Sequence, residues 1–290
     1  MSKTKTLRDL ILSKDLKFLM EAHNGISAKI VENTGFEGIW CSGLGMSASM
    51  GVRDANELSW TQVCSICEFM SNVTDIPILV DGDTGFGDFN NFQLLVKKLE
   101  KIGIAGVCIE DKKFPKTNSF IESNSNNLAP IDEFCGKIMA GKDIQKDENF
   151  VVVARTEAFI FGQGVDEALL RAEKYVEAGC DAVLVHSKKS DSSEIDEFMK
   201  LWDKKAPVIV VPTKYYSTPT RHFEDIGVST VIWANHNIRA SISAMQDISK
   251  QILKNRSIND IEHKIASVND IFNLQNMKEY NENKAKYLGS

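Results

Sequence analysis

A chain of 290 residues with 43% hydrophobic and 26% charged side chains has enough apolar content for a sizeable core, which excludes disorder as its main state. A formal net charge of −6, with no long basic run, has the wrong sign for a nucleic-acid surface, so no nucleic-acid partner is expected. The longest apolar stretches, such as 150–154 and 207–212, are far too short to span a bilayer, and Asp9, Lys14, Asp15 and Lys17 interrupt what would be a signal core. The expectation is a soluble, cytoplasmic chain without a membrane partner.

Eight strands are predicted, at 17–22, 38–42, 78–83, 106–111, 151–156, 182–187, 208–213 and 230–235. Their apolar runs are continuous rather than alternating, as in strands covered on both faces of a parallel sheet. After the second strand, Ser42-Gly43-Leu44-Gly45 forms a small turn whose backbone N–H groups could hold a carboxylate, although it lacks the lysine of a phosphate loop. Trp40 just before it suits either the core or a pocket floor. Cys64 and Cys67 fall in a helical stretch with no second pair at metal spacing, so they read as packed thiols. The six cysteines together suit a reducing compartment.

The third strand runs into Asp81-Gly82-Asp83-Thr84-Gly85-Phe86-Gly87, and the fourth ends at Glu110. Helical spacing puts Phe92, Leu95, Val96, Leu99 and Ile102 on one face between them. Residues 111–130 are polar and too long for an ordinary strand-to-helix loop, which suggests a lid over an active-site mouth. Arg155 ends the fifth strand and His186 the sixth, with Ala168, Leu169, Ala172, Tyr175 and Val176 on one helical face between them. Beyond the eighth strand, a helical extension from about 237 to 290 is longer than one barrel helix requires, so part of it is expected to pack on another subunit.

Four segments share one form: a helix ends at or near Gly35, Gly103, Gly179 or Gly227, and an apolar strand begins a few residues later. Glycine suits a left-handed cap because it lacks the Cβ that makes positive φ costly. Repetition of this turn favours a β/α repeat, and eight strands make a single (β/α)8 TIM-type barrel the predicted architecture, as one domain over 1–290 with extra C-terminal helices.

In such a barrel the reactive groups sit at the carboxyl ends of the strands. Read in order, these ends supply Ser42, Asp81, Asp83, Glu110, Arg155, His186, Thr213 and Asn235. Asp81, Asp83 and Glu110 offer oxygen ligands only, which points to Mg2+, with Mn2+ as a substitute, bound partly through water. The alternative is that the two aspartates cap the turn and the next helix. A guanidinium and an imidazole above such a site suit an anionic phosphate or carboxylate, while Arg155 could instead pair structurally with Glu157.

The stretch Glu110-Asp111-Lys112-Lys113-Phe114-Pro115-Lys116-Thr117-Asn118-Ser119-Phe120 resembles the signature of the phosphoenolpyruvate mutase family, in the isocitrate lyase/phosphoenolpyruvate mutase superfamily. Further matches include 20–25, Trp40 to Leu44, Gly51-Val52-Arg53-Asp54, Asp81 to Gly85, 185–189, 212–216 and 231–237. The resemblance implies Mg2+-dependent interconversion of phosphoenolpyruvate and phosphonopyruvate. It also implies a last barrel helix swapped between subunits in a dimer of dimers. Asp81 would contact the metal, with Asp83 and Glu110 holding its waters. Backbone groups at Ser42, Gly43 and Leu44 would grip the substrate carboxylate, beside Trp40. Asn118, Arg155 and His186 would hold the phosphoryl oxygens, Lys116 and Ser119 would close with the lid, and Asp54 would lie against the phosphoryl as an electrostatic guide. Gly82 stands where the resemblance implies alanine, a change expected to keep the metal geometry but to loosen the loop.

Three rivals remain. Phosphonopyruvate hydrolase is expected to differ in the lid, where this chain carries the mutase-like Asn118. A carbon–carbon lyase or oxaloacetate-type decarboxylase on the same barrel is the second; the resemblance implies that lyases of the superfamily carry a lid cysteine as general acid, and none lies between Glu110 and Phe134. A non-catalytic barrel should have lost at least one rim charge, yet the set is intact.

Overall fold

The computed structural model describes residues 2–116, 118–119 and 127–288. Of the lid expected at 111–130, Thr117 and residues 120–126 lie outside the described residues. The chain forms two compact units, Met1–Asn235 and His236–Ser290.

The first unit is a closed barrel of eight parallel strands in sequential order. They are β1 (Lys17–Ala22), β2 (Ile39–Cys41), β3 (Ile78–Asp81), β4 (Gly106–Glu110), β5 (Val151–Thr156), β6 (Ala182–Val185), β7 (Val208–Val210) and β8 (Thr230–Trp233). Closure comes from β8 pairing with β1, where Lys17 stands opposite Thr230 and Met20 opposite Trp233. All eight expected strands are present. Several stop one to three residues early because their last residues leave the sheet to build the rim: Ser42, Asp83, His186 and Asn235 all lie just past a strand end.

Helices alternate with the strands: α1 (Lys3–Ile11), α2 (Gly25–Thr34), α3 (Gly43–Ser49), α4 (Trp60–Val73), α5 (Phe89–Lys101), α6 (Ile131–Ile144), α7 (Gly164–Glu177), α8 (Ser193–Leu201) and α9 (Thr220–Asp225). Of the faces read from helical spacing, Phe92, Leu95, Val96 and Leu99 on α5 and Ala168, Ala172 and Tyr175 on α7 are buried, while Leu169 and Val176 are half-buried and Ile102, also half-buried, caps α5 from just past its end. Gly35, Gly103, Gly179 and Gly227 take φ of 99°, 77°, 97° and 85°, the left-handed turn the repeat predicts.

The interior of the barrel is packed. Leu19, Trp40, Leu79, Cys108, Val153, Leu184, Ile209 and Ile232 form one buried cluster, which Leu7 and Ile11 of α1 join. Because Leu7 also packs at Gly106, where β4 begins, α1 closes the amino-terminal end and leaves only the carboxyl end open.

The second unit consists of α10 (His236–Asn255), a short 3-10 turn (Glu262–Lys264), α11 (Val268–Leu274) and α12 (Met277–Leu288). Ile242, Met245, Ile252, Leu253, Ile271 and Phe272 are exposed on these helices.

Candidate active site

A cavity at the carboxyl end of the strands is lined by Trp40, Ser42, Leu44, Asp54, Asp81, Glu110, Lys112, Lys116, Asn118, Ser119, Arg155 and His186, together with Val211, Thr213, Ala234 and Asn235. Every predicted site residue lines it except Gly43 and Asp83, which stand immediately behind. The Gly43 N–H donates to Asp81 Oδ2 at 3.2 Å, and Asp83 pairs with Lys116.

The acidic side is built by the loop after β3. Asp83 adopts φ 50°, a left-handed conformation that aspartate tolerates, and its carbonyl accepts from Glu110 N–H at 2.7 Å. The Gly82 N–H donates to Cys108 O at 2.8 Å, so the loop is tied to β4 at two points. A Cβ on Gly82 would lie 2.6 Å from Val107 Cγ2 and 3.0 Å from Cys108 O. The glycine therefore tightens the loop, contrary to the loosening expected from its small size. Gly43 works similarly from the other side, since a Cβ there would come within 3.0 Å of Asp81 Oδ2 and 3.3 Å of Asp83 Oδ1. Lys137 of α6, itself buried, supports the loop by donating to Thr84 O at 3.0 Å.

The basic side centres on Glu157, which is fully buried. Its carboxylate lies 2.5 Å from Arg155 Nε, 2.8 Å from His186 Nδ1 and 2.9 Å from Lys112 Nζ, and it accepts from Ser119 Oγ. Arg155 also reaches Glu110 Oε2 at 3.3 Å and Ser119 Oγ at 3.1 Å. The predicted Arg155–Glu157 pair thus exists and does not remove Arg155 from the cavity; it aims the guanidinium. Asp54 is held at both oxygens, with Lys116 Nζ 2.8 Å from Oδ1 and Asn118 Nδ2 donating to Oδ2 at 2.7 Å.

Charge follows this geometry. Burial works to raise Asp54, but Lys116 and Asn118 outweigh it and hold the carboxyl below its usual range. Burial raises Asp81, and it lifts Asp83 to about 7 against the opposing Lys116 charge, with Asp81 and Asp54 adding to the rise. Burial and the Arg155 charge lower His186, against the pull of Glu157. Burial also opposes ionisation of Glu157, yet Arg155, Lys112 and His186 hold it far below its usual value.

Two engaged N–H groups narrow the predicted carboxylate grip. Ser42 N–H donates to Ala22 O, Gly43 N–H donates to Asp81 Oδ2, and Ser42 Oγ accepts from Gly45 N–H at 3.1 Å, while Ser42 and Leu44 both line the cavity. Sequence reasoning missed Lys112 and Asn56 as site residues and weighed Glu157 only as a structural partner. Lys112 lies within the recognised lid stretch, and Glu157 stands two residues after a rim arginine; those were the available signals. Asn56 carried none, because its contacts come from chain segments distant in sequence.

The donor set fits a hard divalent cation. Asp81, Asp83 and Glu110 offer carboxylate oxygens only, and burial, with a smaller contribution from neighbouring acids, raises Asp81 and Asp83, a cost to their ionised forms that a bound cation would offset. Among the described residues, no three His, Cys, Asp or Glu side chains cluster tightly enough to hold a metal by themselves.

A closed β/α barrel whose one open end sets buried acids against buried cations defines an enzyme of the TIM-barrel class, shaped for a small anion. Residues 7–253 match the family model for phosphoenolpyruvate phosphomutase. A phosphoenolpyruvate phosphomutase from Tetrahymena pyriformis is 57% identical over 286 residues, covering 99% of this chain and 95% of the relative. The crystal structure of a phosphoenolpyruvate phosphomutase from Streptomyces platensis subsp. rosaceus superposes with a TM-score of 0.96 at 41% identity, covering 98% of this chain and 99% of that one. A phosphonopyruvate hydrolase in complex with oxalate and Mg2+ is more distant at 37% identity, with a TM-score of 0.93, covering 99% of this chain and 100% of that one. The chain belongs to the phosphoenolpyruvate phosphomutase family, within the isocitrate lyase/phosphoenolpyruvate mutase superfamily.

Proposed function

We propose that this chain interconverts phosphoenolpyruvate and phosphonopyruvate, breaking the bond from phosphorus to the enol oxygen as a bond from phosphorus to carbon forms. The observation that carries the reading is the convergence of carboxylates and donors on one cavity: Asp81 and Glu110, with Asp83 behind, meet Lys116, Asn118, Ser119, Arg155 and His186, Lys116 pairing with Asp83 and Arg155 reaching Glu110. A pyruvyl group suits the carboxylates through a bridging cation, and a phosphoryl group suits the donors beside them.

Mg2+ held by Asp81, with Asp83 and Glu110 behind it, would supply Lewis acidity toward the pyruvyl oxygens, and Mn2+ has the same donor preference. The Mg2+ complex of the related hydrolase supports this choice. Ser42 and Leu44, beside Trp40, would orient the carboxylate. Arg155, aimed by Glu157, together with Asn118 and His186, would donate to the phosphoryl oxygens. Lys116 and Ser119 would complete the enclosure and exclude water that could trap a loose phosphoryl group as phosphate. Asp54 acts as an electrostatic guide, because engagement of both its oxygens and its firmly held charge suit a fixed anion better than a nucleophile.

Phosphorus NMR with phosphonopyruvate and Mg2+, with a chelator control, tests the reading. Growth of phosphoenolpyruvate, absent with chelator, is the expected result. Direct appearance of phosphate with pyruvate would assign the hydrolase instead.

The exposed apolar residues of α10 to α12 support a homo-oligomer assembled through the C-terminal unit, with a dimer of dimers as the expected form. No helix among the described residues is long and apolar enough to cross a membrane. Six free cysteines support a cytoplasmic setting.

A further inference from the structure

Asn56 joins three segments that the sequence keeps apart. Its Nδ2 donates to Asp83 Oδ2 at 2.8 Å, in the loop after β3. Its Oδ1 accepts from the backbone N–H of Lys116 at 2.6 Å, in the lid. The Lys116 ammonium in turn pairs with Asp83 and with Asp54, two residues before Asn56. The amide orientation is set chemically: a backbone N–H requires an acceptor, and a carboxylate requires a donor. An amide of this length satisfies both, whereas aspartate would set a second negative charge against Asp83. The residue sits at φ 57°, the left-handed region where asparagine is favoured among residues with a side chain.

We propose that Asn56 is a positioning residue that couples the lid's Lys116 to Asp83, so that the ammonium is placed over Asp54 only while the acidic loop holds its working geometry. The inference rests on the functional reading above for its kinetic part and on the donor set alone for its metal part. Asn56→Gly removes both hydrogen bonds and keeps the backbone, since glycine adopts the same φ without strain.

In that variant, Mn2+ binding, followed by electron paramagnetic resonance of the free ion, should weaken about 10-fold, and kcat for phosphonopyruvate should fall about 10- to 100-fold. Because Asn56 acts through Lys116, the Asn56→Gly/Lys116→Ala double variant should lose little more than Lys116→Ala alone. Asn56→Asp should bind Mn2+ differently from Asn56→Gly and be the poorer catalyst, through repulsion at Asp83. Unchanged Mn2+ affinity in Asn56→Gly, or losses that add in the double variant, would overturn the proposal. A parent enzyme that binds Mn2+ but forms no phosphoenolpyruvate would refute the functional reading instead, and the Mn2+ comparison would still decide the role of Asn56.

Discussion

Glu157 illustrates how one buried anion can organise several cations. Removing the charge from a buried network leaves its partners desolvated and underpaired, which costs more than the network contributes relative to an apolar core. Glu157→Gln keeps the shape but leaves Arg155 and Lys112 short of a counter-charge, so it should lower unfolding stability by about 3–5 kcal/mol, read from the urea midpoint. Activity should fall with it, since Arg155 loses its aim, and Glu157→Asp should recover part of the stability. Asp83 supplies a pH dependence. Its carboxyl, lifted to about 7, keeps a proton in the folded chain that the unfolded chain releases near the ordinary value of 3.8. Between those values the folded state binds more protons, so metal-free protein should lose stability as pH rises from about 4 to 7. A cation must displace that proton, so Mg2+ affinity should tighten by up to about tenfold per pH unit below 7 and level off above it. Calorimetric titration across pH 5.5 to 8 checks this; a flat profile would exclude Asp83 as the linked group.

At the scale of elements, the site depends on how closely loops approach the sheet. Gly82→Ala pushes a methyl into Val107 and the Cys108 carbonyl, and β4 cannot move without disturbing Glu110 at its far end. Overpacking of this kind costs about 1–3 kcal/mol. The variant should show that loss together with weaker Mg2+ binding, and Val107→Ala in the same chain should restore much of both. The two ends of the segment expected to form a lid are tied to one helix. Asp111 accepts from Tyr175 Oη at 2.6 Å and from Glu157 N–H at 2.8 Å, and Arg171 of α7 donates to Ala129 O at 3.0 Å. Asp111 and Ala129 are therefore both held by α7.

For the whole molecule, the contrast between the two units is one of burial. Barrel strands are almost wholly buried, whereas α11 and α12 bury no residue and Leu253 of α10 is 81% exposed. An apolar stripe of this kind is stabilised when a second copy covers it. Leu253→Glu combined with Ile252→Glu should shift the mass measured by light scattering from a multiple of 32.3 kDa toward that value, with barrel stability largely retained. An unchanged mass would place the subunit contact elsewhere.

Local chemistry made the barrel legible. Continuous apolar runs, the 3.6-residue spacing of Phe92 to Leu99 and glycine at four left-handed turns are short-range constraints, and each is written in neighbouring residues. The rim acids and the lid stretch were legible for the same reason. What depended on the tertiary structure were relations between distant segments. Glu157 becomes a hub only when β4, β5 and β6 lie side by side; Gly82 is tight rather than loose because Val107 sits beneath it; and Asn56 meets Asp83 and Lys116 only once the barrel closes. Sequence determines which groups are available and the local turns that carry them. Burial, and with it which charges must share partners, is set by packing between residues far apart in the chain, and that is where the working state of the site was decided.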